Sequence, residues 1–159
     1  MNDYAIELRP CDSQDDGFLF ALFMSVKEED FAALNWSPAQ LEPLLRMQFT
    51  AQSQSYAADY PRAAHELVCF NGQPVGRLIT DNTAEAMLLV DIALTPEVRG
   101  RGIGAELIRG LQAQCAADRK PLRLHVANTN RAVRLYERLG FVVTGETEVR
   151  RLMEWRPRP

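Results

Sequence analysis

The chain has 159 residues, 47% of them hydrophobic and 25% charged, with a net charge of −3. That length and balance suit one compact domain over residues 1–159, with a real apolar core. The shortage of basic charge argues against a protein that tracks nucleic-acid phosphates.

Cys11, Cys69 and Cys115 are odd in number and far apart, which suits neither a disulfide framework nor metal-ligand spacing. They read as small buried hydrophobes. His65 and His125 are the only histidines, so no metal site is expected. Residues Met1 to Tyr4 do not open a signal peptide, and no apolar run has the length of a membrane span. The expectation is a reducing, cytoplasmic compartment, with neither membrane nor nucleic acid as partner.

In chain order, Tyr4 to Arg9 alternates apolar and polar residues and predicts a strand that Pro10 stops. Ser13 is the expected N-cap of a first helix, whose stripe is Leu19, Leu22, Phe23 and Val26. Ser37-Pro38 opens a second helix, with proline at its first position. Its stripe of Leu41, Leu44, Leu45 and Phe49 then mixes with Gln48, Gln52 and Tyr56, which suggests a pocket wall. From His65 the period becomes that of strands. Glu66 to Phe70 and Val75 to Thr80 flank the hairpin turn Asn71-Gly72. Ala86 to Leu94 is almost continuously apolar and fits a central strand covered on both faces. A helix over Gly102 to Ala117, a strand over Leu122 to Val126 and a helix from Arg131 to Leu139 follow, the last stopped by Gly140. Phe141 to Thr144 and Val149 to Trp155 close the chain as strands. The order is βααβββαβαββ, an α/β (α+β) arrangement in which the crossover from Leu94 to Val126 implies a parallel pair.

The segment most informative about chemistry is Thr95-Pro96-Glu97-Val98-Arg99-Gly100-Arg101-Gly102-Ile103-Gly104, between a buried strand and a helix. Glycines let backbone approach a ligand closely, and the first amides of a helix have no intrahelical partner. With Arg99 and Arg101 beside them, a phosphate-bearing guest is the natural occupant. A dinucleotide reading of Gly100-x-Gly102-x-x-Ala105 requires an acidic residue near the end of the next strand, and Leu122 to Val126 has none. A nucleoside-triphosphate loop requires Gly-Lys-Ser/Thr, whereas Ala105-Glu106 follows Gly104. A ligand-free turn would leave both arginines and the glycines unexplained.

Arg99-Gly100-Arg101-Gly102-Ile103-Gly104 resembles the Gln/Arg-x-x-Gly-x-Gly/Ala pyrophosphate loop of the GCN5-related N-acetyltransferases (GNAT). The strand ending Ile92-Ala93-Leu94-Thr95-Pro96 precedes it, and Asn128-x-Asn130-Arg131-Ala132-x-x-x-Tyr136-x-x-x-Gly140-Phe141 follows it. The likeness covers Glu66 to Trp155 and is only topological before that. It implies a mixed, mostly antiparallel sheet of about seven strands, a central splayed parallel pair and four flanking helices. It implies acetyl-coenzyme A as co-substrate and no metal. Backbone at Ile92 and Leu94 would pair with the pantetheine arm, and the Ile92 amide would polarise the thioester carbonyl. Amides from Arg99 through Gly100, Arg101, Gly102, Ile103 and Gly104 to Ala105 would hold the pyrophosphate. Asn128 matches the asparagine that hydrogen-bonds the cofactor arm, and Tyr136 the tyrosine that protonates the leaving thiolate.

The implied reaction is direct transfer of acetyl to a primary amine in a ternary complex. The expected acceptor is a small-molecule or peptide amine. The sequence leaves its identity open, and also the oligomeric state, with a homodimer through the last strands as one expectation. A non-catalytic acyl-coenzyme A sensor on the same fold, or transfer of a longer acyl group, are the alternatives. A lysine-type amine is neutral in only about one molecule in 2,500 at pH 7, a handicap of roughly 4.6 kcal/mol. Some family members place a general base four residues before the position of Ile92, where this chain has Leu88. Asp91 faces away from Ile92 by strand alternation and reads as a structural carboxylate. Glu28, Glu29 and Asp30 read as a solvated helix end, and His125 as cover for a sheet face. No base is assigned.

Overall fold

The computed structural model describes residues 5–159. Tyr4, where the sequence starts its first strand, lies outside them, as do Met1 to Asp3. The strands are β1 (Ile6–Pro10), β2 (Ala64–Phe70), β3 (Gln73–Asn82), β4 (Met87–Leu94), β5 (Leu122–Ala127), β6 (Val142–Glu146) and β7 (Arg150–Trp155). The helices are α1 (Asp16–Phe31), α2 (Pro38–Asp59), α3 (Ile103–Asp118) and α4 (Ala132–Arg138). These elements follow the order expected from sequence. The sheet runs β1-β2-β3-β4-β5-β7-β6, with β4 and β5 parallel. By residue proximity the chain forms two compact units, one up to Leu78 with Ala93–Val98, the other Ile79–Ile92 with Arg99–Pro159.

In the first unit, β1 pairs antiparallel with β2, and Pro10 sits inside its last register position opposite Glu66. The strand therefore includes the proline expected to stop it. β1 is an edge strand, where a residue without an N–H is tolerated. Ser13 does not cap α1: it opens a 3₁₀ turn, Ser13–Asp15, whose N-cap is Asp12, and α1 follows with Asp15 as its own N-cap and no side-chain cap bond. The Asp12 carboxylate accepts from the Gln14 amide at 2.8 Å, and Asp15 closes the box by accepting from the Asp12 amide at 2.9 Å. Arg9 reaches from β1 to Asp15 with two hydrogen bonds, at 3.0 and 2.8 Å. At α2, Ser37 and Gln40 form the reciprocal capping box, with Pro38 at the first helical position.

The α1 and α2 faces meet in a cluster of Phe20, Phe23 and Leu45, flanked by Met24, Phe31, Leu41 and Phe49. Phe20 and Phe49 pack edge to face with centroids 5.6 Å apart, a favoured aromatic geometry. Val26, expected on that face, instead points outward at 44% exposure. Phe20, one residue from Leu19, takes the inner position because its ring fills the space beside Phe49. The Asn71-Gly72 turn has both residues at positive φ, 50° and 83°, as a two-residue type I′ hairpin requires.

In the second unit, α3 lays Ile103, Leu107, Ile108, Leu111 and Cys115 into the core. Met87, Leu89, Leu122, Leu124 and Met153 are buried strand residues of the same unit. The Met87 amide donates to the Pro121 carbonyl at 3.0 Å, and the Lys120 ammonium to that of Thr83 at 2.8 Å, which pins the start of the parallel pair. Cys69 and Cys115 are buried, as expected of small hydrophobes, but Cys11 is half-exposed because it follows the end of the edge strand.

Candidate active site

The second unit assembles most of the residues singled out from sequence. The parallel register runs Met87↔Leu122, Leu88↔Arg123 and Leu89↔Leu124 and ends there. Both strands continue, β4 to Leu94 and β5 to Ala127, while β5 keeps its antiparallel partner β7 along its whole length. A parallel pair whose register stops partway is a pair that diverges.

After β4, Pro96–Val98 make a 3₁₀ turn that buries Val98. Gly100 and Gly102 follow at φ 76° and 83°, the left-handed region that L side chains rarely adopt. Gly102 is the N-cap of α3, and no side chain caps the helix. Its first amides thus lack the usual serine, threonine or aspartate acceptor and carry the positive end of a 16-residue helix. Arg99 and Arg101 flank the turn and are exposed. Ile103 does not face outward: at 1% exposure its side chain anchors the helix, leaving only its amide to a ligand. Gly104 and Ala105, in the first turn, are half-buried, as are Ile92 and Leu94 on β4.

Asn128 follows β5. Its side-chain amide donates to the carbonyls of Thr147 and Glu148 at 3.2 and 2.9 Å, and its backbone amide to that of Val149 at 3.0 Å. These bonds tie it to the loop between β6 and β7 and fix which way the amide faces. Its Oδ1 is buried and accepts no hydrogen bond among the described residues. An orphaned buried acceptor is costly, and a ligand N–H would satisfy it. The amide-bearing arm of coenzyme A has such donors, so the residue fits the group its position implies.

Tyr136, on α4, is 6% exposed, and its ring packs 5.7 Å from that of Phe141. Burial, with the Asp91 charge adding to it, pushes its phenol up to about 12. Asp91 alternates with Met87 and Leu89, opposite in direction to Ile92.

Where some relatives place a base, Leu88 faces its register partner Arg123. Arg123 donates to Glu154 of β7 at 2.8 Å, and Arg156 donates to the other oxygen of the same carboxylate. Arg123 first, then Arg156, holds the Glu154 carboxyl below its usual range, so it is a poor proton acceptor. His125, two residues along β5 from Arg123, is exposed on that side of the strand. Glu28, Glu29 and Asp30 are exposed near the C-terminal end of α1.

Two carboxyls, Asp15 beside Arg9 and Glu154 beside Arg123, are thus lowered by folding. Groups of this sign stabilise the fold above their unfolded values, about 3.9 and 4.3, and lose that contribution as pH falls through the lower folded values. Thermal melts from pH 7 down to pH 2 are expected to show the Tm falling below about pH 4. The double variant Asp15→Asn, Glu154→Gln should start lower and fall less steeply; an unchanged slope would contradict the assignment.

Comparison with known proteins agrees with this architecture. The family model described as an acetyltransferase (GNAT) domain matches residues 38–157, so the chain belongs to the GNAT acetyltransferase family. No curated protein matches. Among solved structures, the PaiA N-acetyltransferase of Thermoplasma acidophilum, in complex with coenzyme A, superposes with a TM-score of 0.72 at 18% identity, over 96% of this chain and 99% of that one. Naa50 of Arabidopsis thaliana, in complex with the bisubstrate analogue CoA-Ac-MVNAL, gives 0.62 at 17%, over 94% and 97%. The ribosomal-protein-S18-alanine N-acetyltransferase of Escherichia coli gives 0.60 at 19%, over 96% and 94%. At these identities the likeness is one of fold. Among the described residues no helix is long and apolar enough to cross a membrane.

Proposed function

We propose that the protein is an acetyl-coenzyme A-dependent N-acetyltransferase acting on a primary amine by direct attack in a ternary complex. The observation that carries the reading is the uncapped start of α3 behind two left-handed glycines, flanked by Arg99 and Arg101. The amides from Arg99 to Ala105 bind the pyrophosphate, and both arginines add charge beside it. Backbone at Ile92 and Leu94 pairs with the pantetheine arm, and Asn128 Oδ1 accepts one of its amide N–H groups. The Ile92 amide donates to the thioester oxygen as charge builds there. Tyr136 meets the departing sulfur with its hydroxyl. The free amine attacks the acetyl carbon, the carbon–sulfur bond breaks, and the nitrogen gives up its proton to solvent. Solved relatives of this fold hold coenzyme A or a coenzyme A–peptide conjugate, which supports the co-substrate.

The test is incubation with acetyl-coenzyme A and a panel of polyamines, amino acids, aminoglycosides and peptides with free N-termini. Release of free thiol together with an acetylated amine product is expected. Saturable binding of acetyl-coenzyme A with no transfer to any of these amines would replace catalysis by acyl-coenzyme A sensing.

A further inference from the structure

A groove of about 760 Å³ opens within the first unit, and none of its lining residues figures in the acyl-transfer reading. Its apolar surface is formed by Leu19 and Phe20 of α1 with Phe49 and Ala57 of α2. Phe20 is 6% exposed and braced by Phe49, so this surface is part of a packed core rather than a loose flap.

Two guanidinium groups line the same groove. Arg77, on β3, is 8% exposed. Its Nη2 donates to Gln52 Oε1 at 3.0 Å, and its Cζ lies 6.0 Å from the centre of the Tyr56 ring. Arg46, on α2, stacks its Cζ 4.0 Å from the centre of the Phe20 ring, and its Nη2 pairs with Glu42 one turn earlier at 3.6 Å in an exposed, screened contact. The inward polar residues of α2, Gln52 and Tyr56, therefore orient a buried cation, which accounts for the break in that helix's apolar stripe. A planar guanidinium held by such neighbours is matched to a carboxylate, and Arg46 adds a second cation to the same lining. At the mouth stand Asp12 and Asp16, which offer the opposite charge.

We propose that this groove binds a small organic carboxylate with an apolar body. The carboxylate sits against the buried Arg77, and the body lies on Phe20 and Phe49, with Arg46 as a further cation of the lining. Asp12 and Asp16 favour a molecule that also carries an ammonium group, so an apolar α-amino acid is preferred over a simple aryl acid. A pocket of this size with an apolar lining and a few convergent polar groups is the usual form of a small-molecule site.

The test is calorimetric titration of the whole protein, without coenzyme A, with L-phenylalanine, 3-phenylpropanoate, L-phenylalaninamide and inorganic phosphate. L-Phenylalanine should bind best and 3-phenylpropanoate next. The amide, which lacks the carboxylate, should bind about tenfold more weakly or worse. Arg77→Gln should weaken L-phenylalanine by about the same factor. Ala57→Trp places a ring in the groove from an exposed position and should abolish binding with the far-ultraviolet spectrum unchanged. Equal affinity for acid and amide, tighter binding of phosphate, persistence of binding in Ala57→Trp, or no binding of any probe would each overturn the proposal. No outcome depends on acetyl transfer, so the groove and the acyl-transfer reading fail separately.

Discussion

Replacing Tyr136 by Phe is expected to lower kcat about 100-fold while the KM for acetyl-coenzyme A changes less than about twofold. The ring of the variant keeps its contact with Phe141, so the fold and the cofactor's surroundings are retained and only the hydroxyl is lost. The direction of the phenol's pKa defines what that hydroxyl does. Held near 12 by burial and by the Asp91 charge, it is protonated throughout the working range. Giving its proton outright to a thiolate of pKa about 8.5 would be uphill by roughly 5 kcal/mol. In the proposed mechanism Tyr136 is therefore expected to act as a hydrogen-bond donor that lowers the charge on the departing sulfur, with complete transfer left to solvent. No alkaline limb of the kcat profile below about pH 11 should belong to Tyr136. A Tyr136→Phe enzyme with normal kcat would remove the residue from the mechanism.

The largest stability effect is expected at Gly76. It lies on β3, and a Cβ there would collide with the Ala93 carbonyl oxygen and come within 2.7 Å of Leu94 Cδ2. The backbone beside it is held by a hydrogen bond from the Thr95 amide to the Val75 carbonyl at 2.8 Å, so relief by movement would break pairing. Gly76→Ala should cost about 2–4 kcal/mol, read as a lower urea midpoint. Gly110, in the middle of α3, has nothing within 4 Å of its would-be Cβ. Gly110→Ala should stabilise by about 0.5–1 kcal/mol, because the helix gains an alanine at no steric cost. Equal and small effects at both glycines would show that β3 and β4 are not in close contact at this point.

The contrast between those glycines also marks how far the sequence could be read. Gly102 was legible because an arginine- and glycine-rich turn between a strand and a helix has a local chemical purpose. Gly76 looks like any glycine in a strand, and its need arises from Ala93, seventeen residues away in sequence. The same division holds for the elements. Changes of hydrophobic period gave their order, since that period is a local property. The 3₁₀ turn capped by Asp12 was missed in favour of a helix capped by Ser13 because both are good caps, and Arg9, from β1, secures the turn's box through Asp15. Asn128 was singled out as a candidate cofactor contact by its place in a motif, and its buried Oδ1 fits that proposal. Its grip on Thr147 and Glu148 was not legible, because it joins segments about twenty residues apart. Arg77 carried no signal at all, for its partners Gln52 and Tyr56 belong to a distant helix.

The central claim is that the start of α3 holds acetyl-coenzyme A, and amide hydrogen exchange with and without the saturating ligand tests it most directly. Slowed exchange at residues 100–105, weakened in Arg99→Ala and absent when NADH replaces acetyl-coenzyme A, is the result expected. Unchanged exchange across that turn in a folded, ligand-free sample would contradict the reading.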